Sequence, residues 1–138
     1  MKASLPTGKE TILLVDDDTV LLEVWETLLG SLGYTVDKNA SASEALEAFA
    51  NNSQKYELVI TDMTMPEVTG DKLAREVRKI RNDIPIIMSS GFSAESYDAL
   101  MELNINKFLM KPTTFFELAT TVRNVLDEKT SNGFVQFQ

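Results

Sequence analysis

Four short apolar runs in this chain stop at residues that can do chemistry. Ile12-Leu13-Leu14-Val15 is followed by Asp16-Asp17-Asp18, Leu58-Val59-Ile60-Thr61 by Asp62, Ile84 to Met88 by Ser89-Ser90, and Lys107 to Met110 by Lys111. Carboxylates crowded together repel, which raises their pKa values and costs stability unless positive charge stands among them. A hard divalent ion held by carboxylate, carbonyl and water oxygens is the natural counter-charge, and magnesium keeps several waters in such sites. Lys111 supplies a second, fixed positive charge. A carboxylate facing a bound cation, a hydroxyl and an ammonium is equipped to attack phosphorus, because the cations stabilise the oxygens of the transferring phosphoryl group. The expected chemistry is phosphorylation of an aspartate.

Composition removes most competing chemistries. The 138 residues contain no cysteine and no histidine, so thiolate zinc sites, imidazole ligands and Ser-His or Cys-His catalysis are excluded. With 21 acidic and 13 basic residues the net charge is −8, which disfavours sequence-independent nucleic-acid binding. No apolar run approaches the ~20 residues of a membrane helix, and the first residues lack a signal core, so a cytoplasmic protein without a membrane partner is expected. The length fits one domain.

The elements that must position these residues alternate. Residues 1–10, with Pro6 and Gly8, read as a leader or linker, residues 11–128 as the domain, and residues 129–138 as a tail too short for a DNA-binding module. A continuously apolar first strand leads to a helix over Thr19 to Leu29, with Asp18 or Thr19 as its cap and Leu21, Val24 and Leu28 beside Leu22, Trp25 and Leu29. Tyr34 to Asn39 reads as a polar edge strand. Ser41 to Glu44 and Thr114 to Glu117 have capping-box spacing and open further helices. Leu73, Val77 and Ile80 mark a third helix, and another is expected around Ala94 to Leu103. Trp25, Phe49, Phe115 and Phe116 are expected in the core. Five strands alternating with five helices imply right-handed crossovers and an α/β, doubly wound parallel sheet covered on both faces. In such sheets ligands bind beyond the carboxyl ends of the strands, where the acids, serines and lysine stand.

Taken in order, Ile12 to Asp18, Asp62-Met63-Thr64-Met65-Pro66 with Gly70, Pro85 to Gly91, and Phe108-Leu109-Met110-Lys111-Pro112 resemble the receiver (response regulator) domain of two-component signalling. The resemblance covers about Thr11 to Glu128. It implies a (βα)5 flavodoxin-like fold with sheet order 2-1-3-4-5. It also implies Asp62 as phosphoacceptor, and magnesium, with manganese as the alternative, held by Asp16, Asp17, Asp62 and the backbone carbonyl of Thr64. Ser90 and Lys111 would contact the phosphoryl group, Ser90 and Phe108 would form the switch, and the Lys111-Pro112 peptide would be cis. The implied partner is a histidine kinase or histidine phosphotransfer protein, with the downstream target unspecified. Leu5 to Thr11 is similar to the linker ahead of the C-terminal receiver of hybrid sensor kinases. Such a domain catalyses its own phosphorylation and dephosphorylation and no other reaction.

One enzyme reading competes. Asp16-Asp17-Asp18-Thr19-Val20 also resembles the nucleophile motif of haloacid-dehalogenase phosphatases, with Asp16 as nucleophile. That reading leaves Asp62 and its Met-Pro loop without a role.

Overall fold

A computed structural model of the chain describes residues 4–91 and 103–132, with the side chains of 129–132 outside the description. Five parallel strands form one sheet: β1 (Thr11–Val15), β2 (Thr35–Asn39), β3 (Leu58–Asp62), β4 (Ile86–Ser90) and β5 (Lys107–Met110), in the order 2-1-3-4-5. The described helices are α1 (Thr19–Ser31), α2 (Ala42–Asn51), α3 (Gly70–Ile80) and α4 (Phe115–Asn132), with a single 3-10 turn at Ser53–Lys55. The fold is the doubly wound sheet that the alternation of elements implies, with the flavodoxin-like strand order that the family resemblance implies. The helix expected over Ala94 to Leu103 lies outside the described residues, except for Leu103, a buried turn residue.

The sheet is buried on both faces, as continuously apolar strands require. Leu13, Val15, Val59, Ile86 and Met88 pack with Phe49 of α2 and Leu73 and Val77 of α3. On the opposite face Ile12, Leu14, Ile60 and Ile87 pack with Leu22, Trp25 and Leu29 of α1 and with Leu118, Val122 and Val125 of α4. The polar β2 pairs only with β1, at the edge of the sheet, as its sequence suggested.

Several expectations need correction. The strand read as Ile84 to Met88 begins at Ile86 and runs to Ser90. Pro85 has no N–H to give a ladder, although its carbonyl accepts from the Val59 amide of β3 at 3.1 Å. Both serines therefore lie inside β4. Phe115 and Phe116 are exposed, not core. Thr114 caps α4, exchanging bonds of 3.0 Å with Glu117 through both backbone amides. The two phenylalanines therefore fall in its first turn, ahead of the buried stripe that starts at Leu118. Of the two α1 stripes only Leu22, Trp25 and Leu29 are buried, while Val24 and, on α3, Ile80 face solvent. Residues 129–132 continue α4 as helix.

Arginines on and after α3 hold the far end of the sheet. Arg78 donates to the carbonyls of Leu103 at 3.0 Å, Asn82 at 3.0 Å and Asn104 at 2.9 Å, and also to that of Ile84. Arg81 does the same for Ser53 at 2.8 Å and Tyr56 at 2.5 Å. At the same end Arg123 of α4 reaches Glu10 at 2.9 Å and the Thr7 carbonyl at 3.1 Å.

Candidate functional site

The ends of β1, β3, β4 and β5 meet at one edge of the sheet. Asp16 continues β1 by one residue, its amide donating to the Asn39 carbonyl at 3.2 Å. Its Oδ1 accepts from the Asp18 amide at 2.9 Å. Asp18 in turn caps α1, its Oδ1 accepting from the amides of Val20 and Leu21 at 3.1 Å each. That division of labour leaves Asp17 pointing outward and exposed, with Asp16 buried beneath it. Asp62 is the last residue of β3 and is buried.

Backbone hydrogen bonds fix the loop after Asp62. The Met63 amide donates to the Ser89 carbonyl at 2.8 Å and the Gly70 amide to the Met63 carbonyl at 2.9 Å. A Cβ on Gly70 would stand 2.2 Å from the Asp62 carbonyl oxygen, so only glycine lets α3 begin this close to the site. Within the loop Glu67 has φ of 69°, in the left-handed region, and the Val68 amide turns back on the Pro66 carbonyl at 2.7 Å. This is a tight three-residue turn of the rarer hand. Thr64 lies exposed in the same loop.

One oxygen from each of Asp16, Asp17 and Asp62 can be chosen so that all three lie within 4.8 Å of one another. Lys111 Nζ stands 3.1 Å from Asp62 Oδ1 and 3.3 Å from Asp16 Oδ2. Three carboxylates against one ammonium leave two negative charges uncompensated when all are ionised. Burial pushes the Asp16 carboxyl up, against the pull of the Asp18 amide and of Lys111. Burial and the neighbouring Asp16 charge likewise push Asp62 up. For Lys111, burial alone would lower the pKa, and the charges of Asp16 and Asp62 outweigh it, so the ammonium is held more firmly than usual. An all-oxygen set this crowded and this negative fits a hard divalent cation.

Lys111 is carried to the site by the β4–β5 ladder, its amide donating to the Ser90 carbonyl at 2.8 Å, and the Lys111-Pro112 peptide is cis. Ser90 ends β4 with about a tenth of its surface exposed, at 9%. Phe108 is partly buried on the face that carries Met88, its register partner. Strand alternation puts Ser90 on that same face. Asp16, Asp17, Asp62 and Lys111 are thus brought into direct contact range, with Ser90 on the neighbouring β4 and Phe108 beyond it on β5. The motif reading left Ser89 and Arg78 without roles: only strand register marks the first, and the second acts on distant backbone carbonyls.

A doubly wound sheet with acids at β1 and β3, a hydroxyl at β4 and a lysine at β5 defines a receiver domain. The family model for the response regulator receiver domain matches residues 12–123, and the chain belongs to that family. Among curated relatives it is 36% identical over 129 residues to the sensor kinase CckA of Brucella abortus, covering 93% of this chain and 14% of that protein. It is 34% identical over 122 residues to the transcriptional regulatory protein CpxR homolog of Haemophilus influenzae, covering 87% of this chain and 52% of that one. The chain thus spans about half or less of the length of these relatives. A solved receiver domain from Clostridium thermocellum superposes with a TM-score of 0.82 at 30% identity, covering 88% of this chain and 98% of that one. The response regulator TrrA of Thermotoga maritima, solved with Mg2+-BeF, does so with a TM-score of 0.75 at 32% identity, covering 84% and 98%. The phosphatase reading finds no support in any of these matches. Among the described residues no helix is long and apolar enough to cross a membrane.

Proposed function

We propose that Asp62 takes a phosphoryl group from a phosphohistidine on a histidine kinase or histidine phosphotransfer protein. The observation that carries this is the placement of Asp62, buried, 3.1 Å from the Lys111 ammonium and within one oxygen cluster with Asp16 and Asp17. An Asp62 carboxylate oxygen bonds to phosphorus, the phosphorus–nitrogen bond breaks, and its electron pair returns to the donor imidazole. Asp16, Asp17, Asp62 and the Thr64 carbonyl would hold Mg2+, or Mn2+ in its place, and the ion supplies charge stabilisation for the phosphoryl oxygens. That TrrA was solved with Mg2+-BeF supports this choice of ion. Lys111 steadies the same oxygens from the β5 side.

The Ser90 hydroxyl then turns toward the phosphoryl group, and Phe108, on its face of the sheet, moves into the space it leaves. Phosphorylation biases this two-state element by the difference in contacts the group makes in each state. The chain acts as catalyst only on its own aspartate, in the cytoplasm, and without nucleic acid. Residues 11–128 form the switching unit, between a leader over 1–10 and a tail over 129–138 whose first four residues continue α4. The match to a short part of CckA supports reading it as the receiver of a longer sensor kinase.

The test is labelling with acetyl phosphate and Mg2+. An acid-labile label that disappears with Asp62→Asn is expected. Label that survives Asp62→Asn and vanishes with Asp16→Asn would overturn the assignment.

A further inference from the structure

We propose that the Ser89 hydroxyl is a positioning group for the aspartyl phosphate, unpartnered in the resting domain and engaged once Asp62 carries a phosphoryl group. This rests on Asp62 being the phosphoacceptor. Ser89 is 1% exposed, and its Oγ is the one buried side-chain polar atom without a hydrogen-bond partner among the described residues. A buried hydroxyl in that condition bears the full loss of its hydration with nothing in return.

Strand register says what it faces. β3 and β4 pair Asp62 with Ser89 just as they pair Ile60 with Ile87. Ile60 and Ile87 belong to one core cluster, beneath α1 and α4. Alternation therefore carries Asp62 and Ser89 to that same face, on strands about 4.8 Å apart. Asp16, one residue past the Val15–Thr61 pair, extends the row on the other side, and Leu109 closes it at β5. Lys111 starts beyond Leu109 and brings its ammonium to Asp62 and Asp16, so its stem passes β4 at the level of this row. Ser89 is the polar residue in the middle of the row that neither acid nor lysine uses.

Loss of the phosphoryl group gives the hydroxyl its role. A water oxygen bonds to phosphorus, the bond from phosphorus to the Asp62 oxygen breaks, and its electron pair returns to the carboxylate. The water proton passes to solvent and inorganic phosphate leaves. Negative charge grows on Asp62 while Lys111 is drawn to the phosphoryl oxygens, and a donor beside Asp62 stabilises that charge. Ser89 is placed to be this donor and so to shorten the life of the phosphorylated state.

The experiment is Ser89→Ala, phosphorylated with acetyl phosphate and Mg2+, separated from the reagent and followed for loss of label, with melting of the unphosphorylated protein in parallel. The expected result is a lifetime about three- to tenfold longer, with a melting temperature no lower than wild type. An unchanged or shorter lifetime overturns the proposal. So does a lower melting temperature, which would mean that the hydroxyl already has a partner at rest. Absence of label on wild-type Asp62 would overturn the phosphoacceptor reading itself, which separates the two failures.

Discussion

The ammonium of Lys111 reaches past β4 from one edge strand to stand 3.1 Å from Asp62 Oδ1 on β3. It is the fixed cation of a site otherwise made of acids. Lys111→Met should slow labelling by acetyl phosphate about 10²-fold, the usual cost of removing one charge-stabilising donor. Lys111→Arg should recover little of this, because a planar guanidinium does not present the compact charge of an ammonium. Initial rates of phosphorylation at fixed Mg2+ check both.

Crowding of acids makes the site unfavourable for the metal-free fold. Asp62 is held above its ordinary pKa by burial and by Asp16, so ionising it at neutral pH costs stability. Asp62→Asn should therefore raise the melting temperature in chelator. Mg2+ at a hundred times its dissociation constant should stabilise wild type by about 2.7 kcal/mol, and Asp17→Asn should abolish most of that gain. Thermal melts with and without Mg2+ read all three.

Gly70 leaves no room for a side chain. A Cβ there would lie 2.2 Å from the Asp62 carbonyl oxygen and 2.9 Å from Met63 Cα. Gly70→Ala must push α3 away from the site, and a loss of about 2 kcal/mol is expected. Labelling of Asp62 should fall with it, since the same loop carries the Thr64 carbonyl.

Arg78 satisfies carbonyls just ahead of β4 and just ahead of β5. Those of Leu103 and Asn104 would lose a charged donor in Arg78→Ala, along with that of Ile84. A destabilisation of about 3 kcal/mol in urea is expected. Arg78→Lys should restore less than half, having no planar fork with which to reach several acceptors.

Glu10 gives a pH dependence of opposite sign to that of the acid cluster. Its hydrogen bond to Arg123 outweighs burial and holds its carboxyl below the usual range. In the unfolded chain Glu10 has its ordinary pKa of about 4.3, so between the two values the unfolded state binds more protons and stability rises with pH. The contribution is complete above the unfolded pKa and is lost as pH falls through the folded one. Glu10→Gln should remove it, at a cost below about 1 kcal/mol at pH 7 because the pair is partly solvated. Urea midpoints measured from pH 3 to pH 7 for both proteins isolate the difference.

The acids and the lysine were legible in sequence because each ends an apolar run, and strand ends of a doubly wound sheet share an edge. Asp18 as cap and the capping box at Thr114 were legible for the same local reason: they act on amides a few residues away. Ser89 was not, because its meaning depends on which residue of β3 stands beside it. Nor was Arg78, whose partner Leu103 is 25 residues distant and contributes only a carbonyl. Phe115 and Phe116 look like core in composition and lose that place to the phase of the helix set by Thr114.

At the far end of the sheet the chain enters through a clasp. The Thr7 carbonyl accepts from Arg123, the Gly8 amide bonds to the Leu32 carbonyl at 3.1 Å, and a Cβ on Gly8 would fall 2.4 Å from Arg123 Nη1. Entry and last helix are thus bolted to each other. A twist of α4 would therefore be felt at Thr7 and Gly8, where the chain approaches the sheet.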